Sequence, residues 1–207
     1  MIESTTGLIL RTRLLTDTSL IVQWLTPEFG RLATVAKGAR RPKSPFAGKL
    51  DLFYLADLSF VRSRRSELHV LREVGLRETH PALRRDLTLL RQAAYAAALI
   101  EQTTETETPL PAVFALLKGW LAHLATGGAQ GTFAFELKLL RELGLTPDLD
   151  RARLSPGARE IVRRFLGSEW SGLESLRVSA PQAEELRRFL HGFMIHHLDR
   201  LPPGRIS

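Results

Sequence analysis

The segment LIVQWLTPEFGRLATVA, residues 20–36, decides the fold of the first part of this chain. Its two apolar stretches, residues 20–26 and 31–36, flank Pro27-Glu28-Phe29-Gly30, a combination typical of a turn because proline and glycine supply the backbone angles that a turn needs. Short runs rich in valine, leucine and threonine on both sides of a turn predict two paired strands. The segment therefore predicts a β-hairpin.

Three more strands are predicted around this hairpin. Residues 7–13 precede it, and residues 55–62 and 68–74 follow it, with Ser63-Arg64-Arg65-Ser66 as the turn between the last two. Five short strands and one long loop are the composition of an OB-type barrel. The strand spacing predicts such a barrel, and an open five-stranded sheet is the alternative.

The apolar pattern becomes helical after Pro81, so the sequence predicts an α+β protein. It predicts a five-stranded OB-fold β-barrel at the N-terminus, residues 1–80, followed by an α-helical bundle domain, residues 81–207. Two helix starts carry capping signals, Ser155 before Pro156 and Ser179 three residues before Gln182. Further helices are predicted from about Pro111 to Ala125 and from Thr132 to Leu143, the latter with Gly144 at its end.

Composition excludes several classes of protein. The 207 residues include no cysteine, which excludes disulfides and cysteine-ligated zinc. No apolar run is long enough to span a membrane, and the N-terminus lacks the features of a signal peptide, so a cytoplasmic protein without a membrane partner is expected.

No reactive group of residues is recognisable either. Phosphate-loop, dinucleotide and nucleophile-elbow motifs are missing from the sequence. Glu105 and Glu107 lie among threonines and prolines, which predicts a solvated loop. The sequence therefore predicts a binding protein rather than an enzyme, with no catalytic residue, no metal site and no cofactor.

Positive charge is concentrated in one loop. The formal net charge is +7, and KGARRPKSPFAGK, residues 37–49, holds five basic residues and no acidic one. Such a concentration predicts a polyanionic partner, because lysine and arginine neutralise phosphates and release counterions. A second basic group lies at the turn between the last two strands, at a loop that OB-type barrels use for nucleic acid.

These two groups and the residues beside them form the predicted DNA-binding site. Phe46 is included as a base-stacking residue, whereas Trp24 and Phe60 lie in strands and are expected to be buried. The predicted site consists of Arg31, Lys37, Arg40, Arg41, Lys43, Phe46, Lys49, Arg62, Arg64 and Arg65. Two alternatives are a protein-interaction adaptor whose basic surface only maintains solubility, and an RNA-binding OB protein.

Three short motifs accompany the predicted strands: Asp17-Thr18-Ser19 between two strands, Thr26-x-x-x-Gly30, and Lys37-Gly38-Ala39-Arg40-Arg41 directly after the third strand. In this pattern, and in FELKLLRELGLTPDLD, residues 135–150, the chain resembles the RecO family of bacterial recombination mediators. This resemblance implies a cytoplasmic, nucleoid-associated protein of recombinational DNA repair that binds single- and double-stranded DNA and anneals complementary strands. The implied protein partners are RecR, with which such proteins help to load RecA, and the acidic C-terminal tail of SSB, the single-stranded-DNA-binding protein.

The chain departs from this family in one respect. Many members carry a four-cysteine zinc module shortly after the GLTPDLD element, but here Asp150 continues through Arg151-Ala152-Arg153 to Leu154 and Ser155 without a cysteine. The module is expected to be missing near residues 150–154, either naturally or by deletion. The SSB tail needs an apolar pocket with a basic rim, for which Arg187 and Arg188 beside Phe189 and Leu190 are candidates.

Overall fold

The computed structural model describes residues 1–124 and 131–205, which divide into two compact units. The barrel unit contains Met1–Pro81 together with Thr104–Ala115, and the helical unit contains Ala82–Thr103 and the chain from Leu116 onward. The first break between the units falls after Pro81, and the chain returns to the barrel unit at Thr104. The sequence, by contrast, predicts residues 81–207 as one uninterrupted domain.

The barrel consists of five strands, β1 (Ile2–Leu14), β2 (Leu20–Thr26), β3 (Gly30–Ala36), β4 (Leu55–Val61) and β5 (Leu68–Glu78). They close in the order β1-β2-β3-β5-β4, with β4 pairing back onto β1. All pairs are antiparallel except β3 with β5. This arrangement confirms the predicted OB-type barrel and excludes the open sheet.

Alternation along the strands places one set of side chains inside the barrel. Trp24 and Phe60 are 0% and 1% exposed in this core, as predicted from the sequence. The indole N–H of Trp24 donates a hydrogen bond to Oγ1 of Thr34 at 2.9 Å, so the one polar atom of this buried ring is satisfied.

A segment from beyond the first 80 residues completes the barrel unit. β3 pairs with β5 only from Ala33 to Val35, which leaves the start of β3 without a neighbour on that side. Residues 104–110, here called the return segment, lie there: Arg31 and Thr106 form a parallel bridge, and the backbone N–H of Glu107 donates to the carbonyl oxygen of Arg31 at 2.8 Å. The return segment therefore extends the sheet at the start of β3.

Gly30 is required where β3 meets the return segment. Its φ is +60°, and a Cβ atom at this position would lie 1.7 Å from the carbonyl oxygen of Thr108. Glycine is thus needed for the backbone angle and also for the close approach of the two backbones.

The helical unit contains the predicted helices with small shifts of their ends. Ser155 caps the helix that begins at Pro156, Ser179 and Gln182 form the predicted capping box, and Gly144 has a φ of +75°. The predicted end, at about Ala125, of the helix that begins at Pro111 lies outside the described residues. The helices are α1 (Ala82–Arg85), α2 (Leu87–Thr103), α3 (Pro111–His123), α4 (Gly131–Glu142), α5 (Pro156–Gly167) and α6 (Ala180–Leu198), with a 3-10 turn at Trp170–Leu173. None of the helices in these described ranges is both long and apolar enough to cross a membrane.

The connection from α4 to α5 is the place where many RecO proteins carry a zinc module. Here it is held by apolar packing and by a turn. Leu149 and Leu154 pack against the helical core, and Oδ1 of Asp148 accepts the backbone N–H of Asp150 at 3.0 Å. No cysteine is present, and the described residues contain no group of three or more histidines, cysteines or acids that could hold a metal ion. The residues of this connection therefore do not fit a four-cysteine zinc module.

Three polar side chains form a buried cluster between α2, α4 and the C-terminal segment. The carboxylate of Glu136, which is 0% exposed, accepts two hydrogen bonds from Arg205 at 2.7 and 2.8 Å and one from the Tyr95 hydroxyl at 2.7 Å. Burial, reinforced by the charge of Glu136, raises the pKa of Tyr95 far above its usual range, so the hydroxyl remains a donor. The cluster ties the end of the chain to the helical core.

Replacement of Gly30 tests the close approach of the return segment. Gly30→Ala is expected to lower the free energy of unfolding by about 2 kcal/mol more than Gly48→Ala, measured by urea denaturation. Both glycines have positive φ, but a Cβ atom at Gly48 has nothing within 4 Å. The difference between the two variants therefore isolates the contact with Thr108. Equal losses would contradict the packing described here.

The buried cluster predicts a non-additive pair of substitutions. Arg205→Met is expected to lower the free energy of unfolding by about 3 kcal/mol, because it leaves the Glu136 carboxylate buried without its cation. Adding Glu136→Gln should recover most of this loss, since the uncompensated charge is then gone. Urea unfolding followed by tryptophan fluorescence measures all three variants, and additive effects would contradict the pairing.

Candidate nucleic-acid interface

The basic loop, residues 37–49, is a chain of tight turns with a defined backbone. Successive N–H groups donate three residues back along the chain, from Arg41 to Gly38, from Ser44 to Arg41 and from Ala47 to Ser44, at 3.0 to 3.1 Å. Gly38 and Gly48 have φ values of +66° and +70°, which glycine adopts without strain. The loop therefore holds its charged side chains on a fixed backbone.

The turn between β1 and β2 fastens the start of the basic loop. Oγ of Ser19 accepts the N–H of Gly38 at 3.3 Å, and the carbonyl oxygen of Thr18 accepts the N–H of Arg40 at 3.0 Å. The carbonyl oxygen of Asp17 accepts the Arg40 guanidinium at 3.0 Å. Asp17-Thr18-Ser19 thus has a structural task, which is to position the basic loop.

Phe46 attaches the middle of the basic loop to the barrel core. The prediction that it stacks on a DNA base was wrong. Its ring is 6% exposed and belongs to the barrel core with Trp24 and Phe60. A base cannot stack on a ring whose faces are already covered by core side chains. Phe46 instead anchors the middle of the basic loop by burying apolar surface.

The charged side chains of the basic loop point to solvent. Lys37, Arg40, Arg41 and Lys43 are exposed, and Lys49 is half-buried. In the part of the chain that the structure describes, no carboxylate pairs with Lys37, Arg41 or Lys43, so their charges are not compensated locally. The basic loop is therefore a surface that attracts anions, and its contact with DNA remains a prediction.

The second basic group divides into structural and exposed arginines. Arg62 pairs with Glu107 at 2.7 Å, lies 3.9 Å from Glu3, and stands over the ring of Phe29 at 5.9 Å from its centroid. Arg64 and Arg65, by contrast, are exposed in the loop between β4 and β5. Arg64 and Arg65 are thus free to meet a phosphate, whereas the charge of Arg62 is largely compensated.

Glu107 is a residue that sequence reasoning missed. It was expected in a solvated loop, yet it accepts from Arg62 and lies 3.2 Å from Nε2 of His69, a side chain that is 2% exposed. Because the N–H of Ser63 donates to Nδ1 of His69, the ring proton sits on Nε2 and points to Glu107. The backbone of Glu107 is also unusual, with a φ of +55°, but this angle cannot be predicted from the sequence.

Arg31 also has a structural task. Its guanidinium donates to Oγ1 of Thr104 at 2.9 Å and to the carbonyl oxygen of the same residue. The side chain was predicted to contact DNA, but the structure uses it to hold the return segment beside β3.

OB-type barrels commonly use the outward face of β2 and β3 for nucleic acid. On this face Leu25, Ile21 and Val35 are 0%, 5% and 9% exposed, whereas Gln23, Arg31 and Ala33 are half-buried. The accessible basic groups therefore lie in the loops at the two ends of β3: the basic loop follows Ala36, and Arg64 and Arg65 precede Leu68, which pairs with Ala33.

Two protein-family models match this chain. The sequence model for the N-terminal part of recombination protein O matches residues 1–80, and the one for its C-terminal part matches residues 84–152. The second match stops two residues after Asp150, at the connection without cysteines.

Curated relatives agree over most of the chain. The DNA repair protein RecO of Myxococcus xanthus is 32% identical, over 89% of this chain and 87% of that protein. That of Rhodopirellula baltica is 28% identical over 86% and 75%, and that of Bacillus subtilis is 32% identical over 72% and 59%. With these relatives and both domain matches, the chain belongs to the RecO family of DNA repair proteins.

Proposed function

We propose that this protein is a DNA-binding recombination mediator that anneals complementary strands and, with RecR, helps to load RecA on SSB-coated single-stranded DNA. Membership of the RecO family supports a role in DNA repair. The observation that carries the proposal further is the basic loop, an ordered backbone on which Lys37, Arg41 and Lys43 are exposed and pair with no carboxylate of the described residues. A nucleoid-associated, cytoplasmic protein is part of the same proposal.

Annealing follows from charge neutralisation in this proposal. Lys37, Arg40 and Arg41 screen the phosphates of one strand, and Arg64 and Arg65 extend the basic track beyond the other end of β3. Screening lowers the repulsion between two complementary strands, so base pairing proceeds without ATP. No bond is made or broken by the protein, and we therefore propose that it is not an enzyme.

Removal of the loop charges tests this mechanism. Lys37→Ala/Arg40→Ala/Arg41→Ala is expected to weaken single-stranded DNA binding and to reduce the slope of log affinity against log salt by about 0.7 to 0.9 per residue removed. Fluorescence titration of labelled DNA at several salt concentrations measures both quantities.

A matched control removes three arginines of the helical unit, by Arg85→Ala/Arg163→Ala/Arg164→Ala, and should leave the slope nearly unchanged. An unchanged slope in the loop variant would show that the loop does not hold phosphates. Partner binding without DNA affinity would favour the adaptor, and preference for RNA over DNA of the same sequence would favour the RNA-binding alternative.

A groove in the helical unit supports the proposed contact with the SSB tail. It has a volume of about 800 Å³ and lies between α6 and the connection before α5. Phe189, Phe193 and Pro181 line it with apolar surface. Its charged lining is basic on balance, with three arginines and two glutamates: Arg151, Arg153, Arg188, Glu184 and Glu185. This combination fits a peptide that carries apolar side chains and negative charge.

Of the residues that the sequence offered, Arg188 and Phe189 line the groove. Leu190 is 0% exposed in the helical core, and Arg187 is not in the groove lining. Both Arg187 and Arg188 pair with Glu184 on the same helix. The sequence could not separate these neighbours, because their positions on α6 relative to the core depend on the packing of the other helices.

Charge reversal in the lining tests the groove. Arg153→Glu/Arg188→Glu is expected to weaken binding of a peptide with the acidic SSB tail sequence several-fold, because opposite charges are replaced by like charges. Fluorescence anisotropy of the labelled peptide measures the affinity. Arg163→Glu/Arg164→Glu on α5 is the control with the same charge change outside the groove lining, and equal losses in both variants would argue against a specific site.

A further inference from the structure

Two exposed leucines lie at the tip of the hairpin between β1 and β2. Leu14 is 62% exposed and Leu15 is 45% exposed. Single exposed apolar residues are common on protein surfaces, but two adjacent leucines at one tip form an apolar projection. Their neighbour Arg13 is also exposed.

The leucine tip and the basic loop are parts of one structure. The N–H of Leu15 donates to the carbonyl oxygen of Ser19 at 3.0 Å, which closes the turn. The same turn receives the hydrogen bonds from Gly38 and Arg40 described above. The turn that carries the leucines is therefore fastened to the start of the basic loop. Asp17 is the acidic residue within this turn, and its carbonyl oxygen already binds Arg40.

Most aromatic side chains of the barrel are covered by its core. Trp24, Phe46, Phe53 and Phe60 are 0% to 6% exposed, and Phe29 and Tyr54 are half-buried against the same core. A strand that lies on the basic loop would thus find apolar surface in Pro42 and Pro45 of the loop and in the two leucines of the adjoining turn.

We propose that Leu14 and Leu15 contact the unpaired bases of a DNA strand whose phosphates lie on the basic loop. The inference rests on the proposed DNA-binding function of that loop. Apolar side chains that insert between bases are a known means of binding DNA. In a duplex they must first unstack the base pairs, which costs about a few kcal/mol per step, whereas unpaired bases are already accessible. The charges of Lys37 and Arg40 favour a polyanion beside the tip over an uncharged apolar partner.

This role gives the leucines a different experimental signature from the basic residues. Base contacts release no counterions, so they add affinity without adding to the salt dependence. Base contacts also strengthen the binding of unpaired strands more than the binding of a duplex. Loss of the leucines should therefore lower affinity for single-stranded DNA, leave the salt slope unchanged, and spare binding to double-stranded DNA.

The test uses the full chain with Leu14→Ala/Leu15→Ala. Affinity for single-stranded DNA is expected to fall roughly five- to tenfold at every salt concentration. An oligonucleotide that contains 2-aminopurine should lose the fluorescence change that accompanies binding of the unsubstituted protein. The control variant Leu76→Ala/Leu87→Ala removes two leucines that are 40% and 61% exposed elsewhere, and should bind normally. Thermal unfolding verifies that each variant is folded.

The outcomes separate this inference from the proposed function. Unchanged single-stranded affinity of the leucine variant, with normal DNA binding by the unsubstituted protein, overturns the inference alone. An equal loss for duplex DNA also overturns it, because base access is then irrelevant. Intact DNA binding with lost RecR binding would assign the leucines to a protein contact instead. Failure of the unsubstituted protein to bind DNA would overturn the proposed function and the inference together.

Discussion

The attachment of the basic loop to the barrel is the interaction on which the rest of the proposed interface depends. Five cations within 13 residues repel one another, and a loose loop would spread them apart. Hydrogen bonds from Gly38 and Arg40 to the β1–β2 turn, together with the buried ring of Phe46, hold the loop in place. These hydrogen bonds and the burial of the Phe46 ring therefore offset the electrostatic repulsion between the five cations.

Local signals in the sequence were sufficient for much of the fold. The turn at Pro27–Gly30, the burial of Trp24, and the caps at Ser155 and Ser179 were all predicted, because each depends on residues close together in the chain. The sequence did not predict the partners of Arg31 and Arg62. Those partners, Thr104 and Glu107, are 73 and 45 residues away, and nothing in the local pattern indicates them. Both arginines were assigned to DNA because an arginine in a basic region looks the same whether it binds a phosphate or a neighbouring strand.

Phe46 illustrates a second limit of sequence reasoning. A phenylalanine between exposed prolines and lysines lacks the alternation that marks a buried position in a strand. Its burial depends on the course of an irregular loop, which is determined by positive φ at Gly38 and Gly48 and by hydrogen bonds to the neighbouring turn. The prediction of a stacking ring failed for this reason, since the exposed apolar residues of the loop are Pro42, Pro45 and Ala47.

The return segment has a consequence for the order of folding. The five strands have all been synthesised when Glu78 is added, but the start of β3 has no partner on one side until residues 104–110 follow. About 25 more residues, which include all of α2, must leave the ribosome first. Contacts between distant parts of a chain form late because closing a long loop costs entropy. A nascent chain that pauses after β5 would therefore expose an unfinished sheet edge, the kind of surface that chaperones bind and that leads to aggregation.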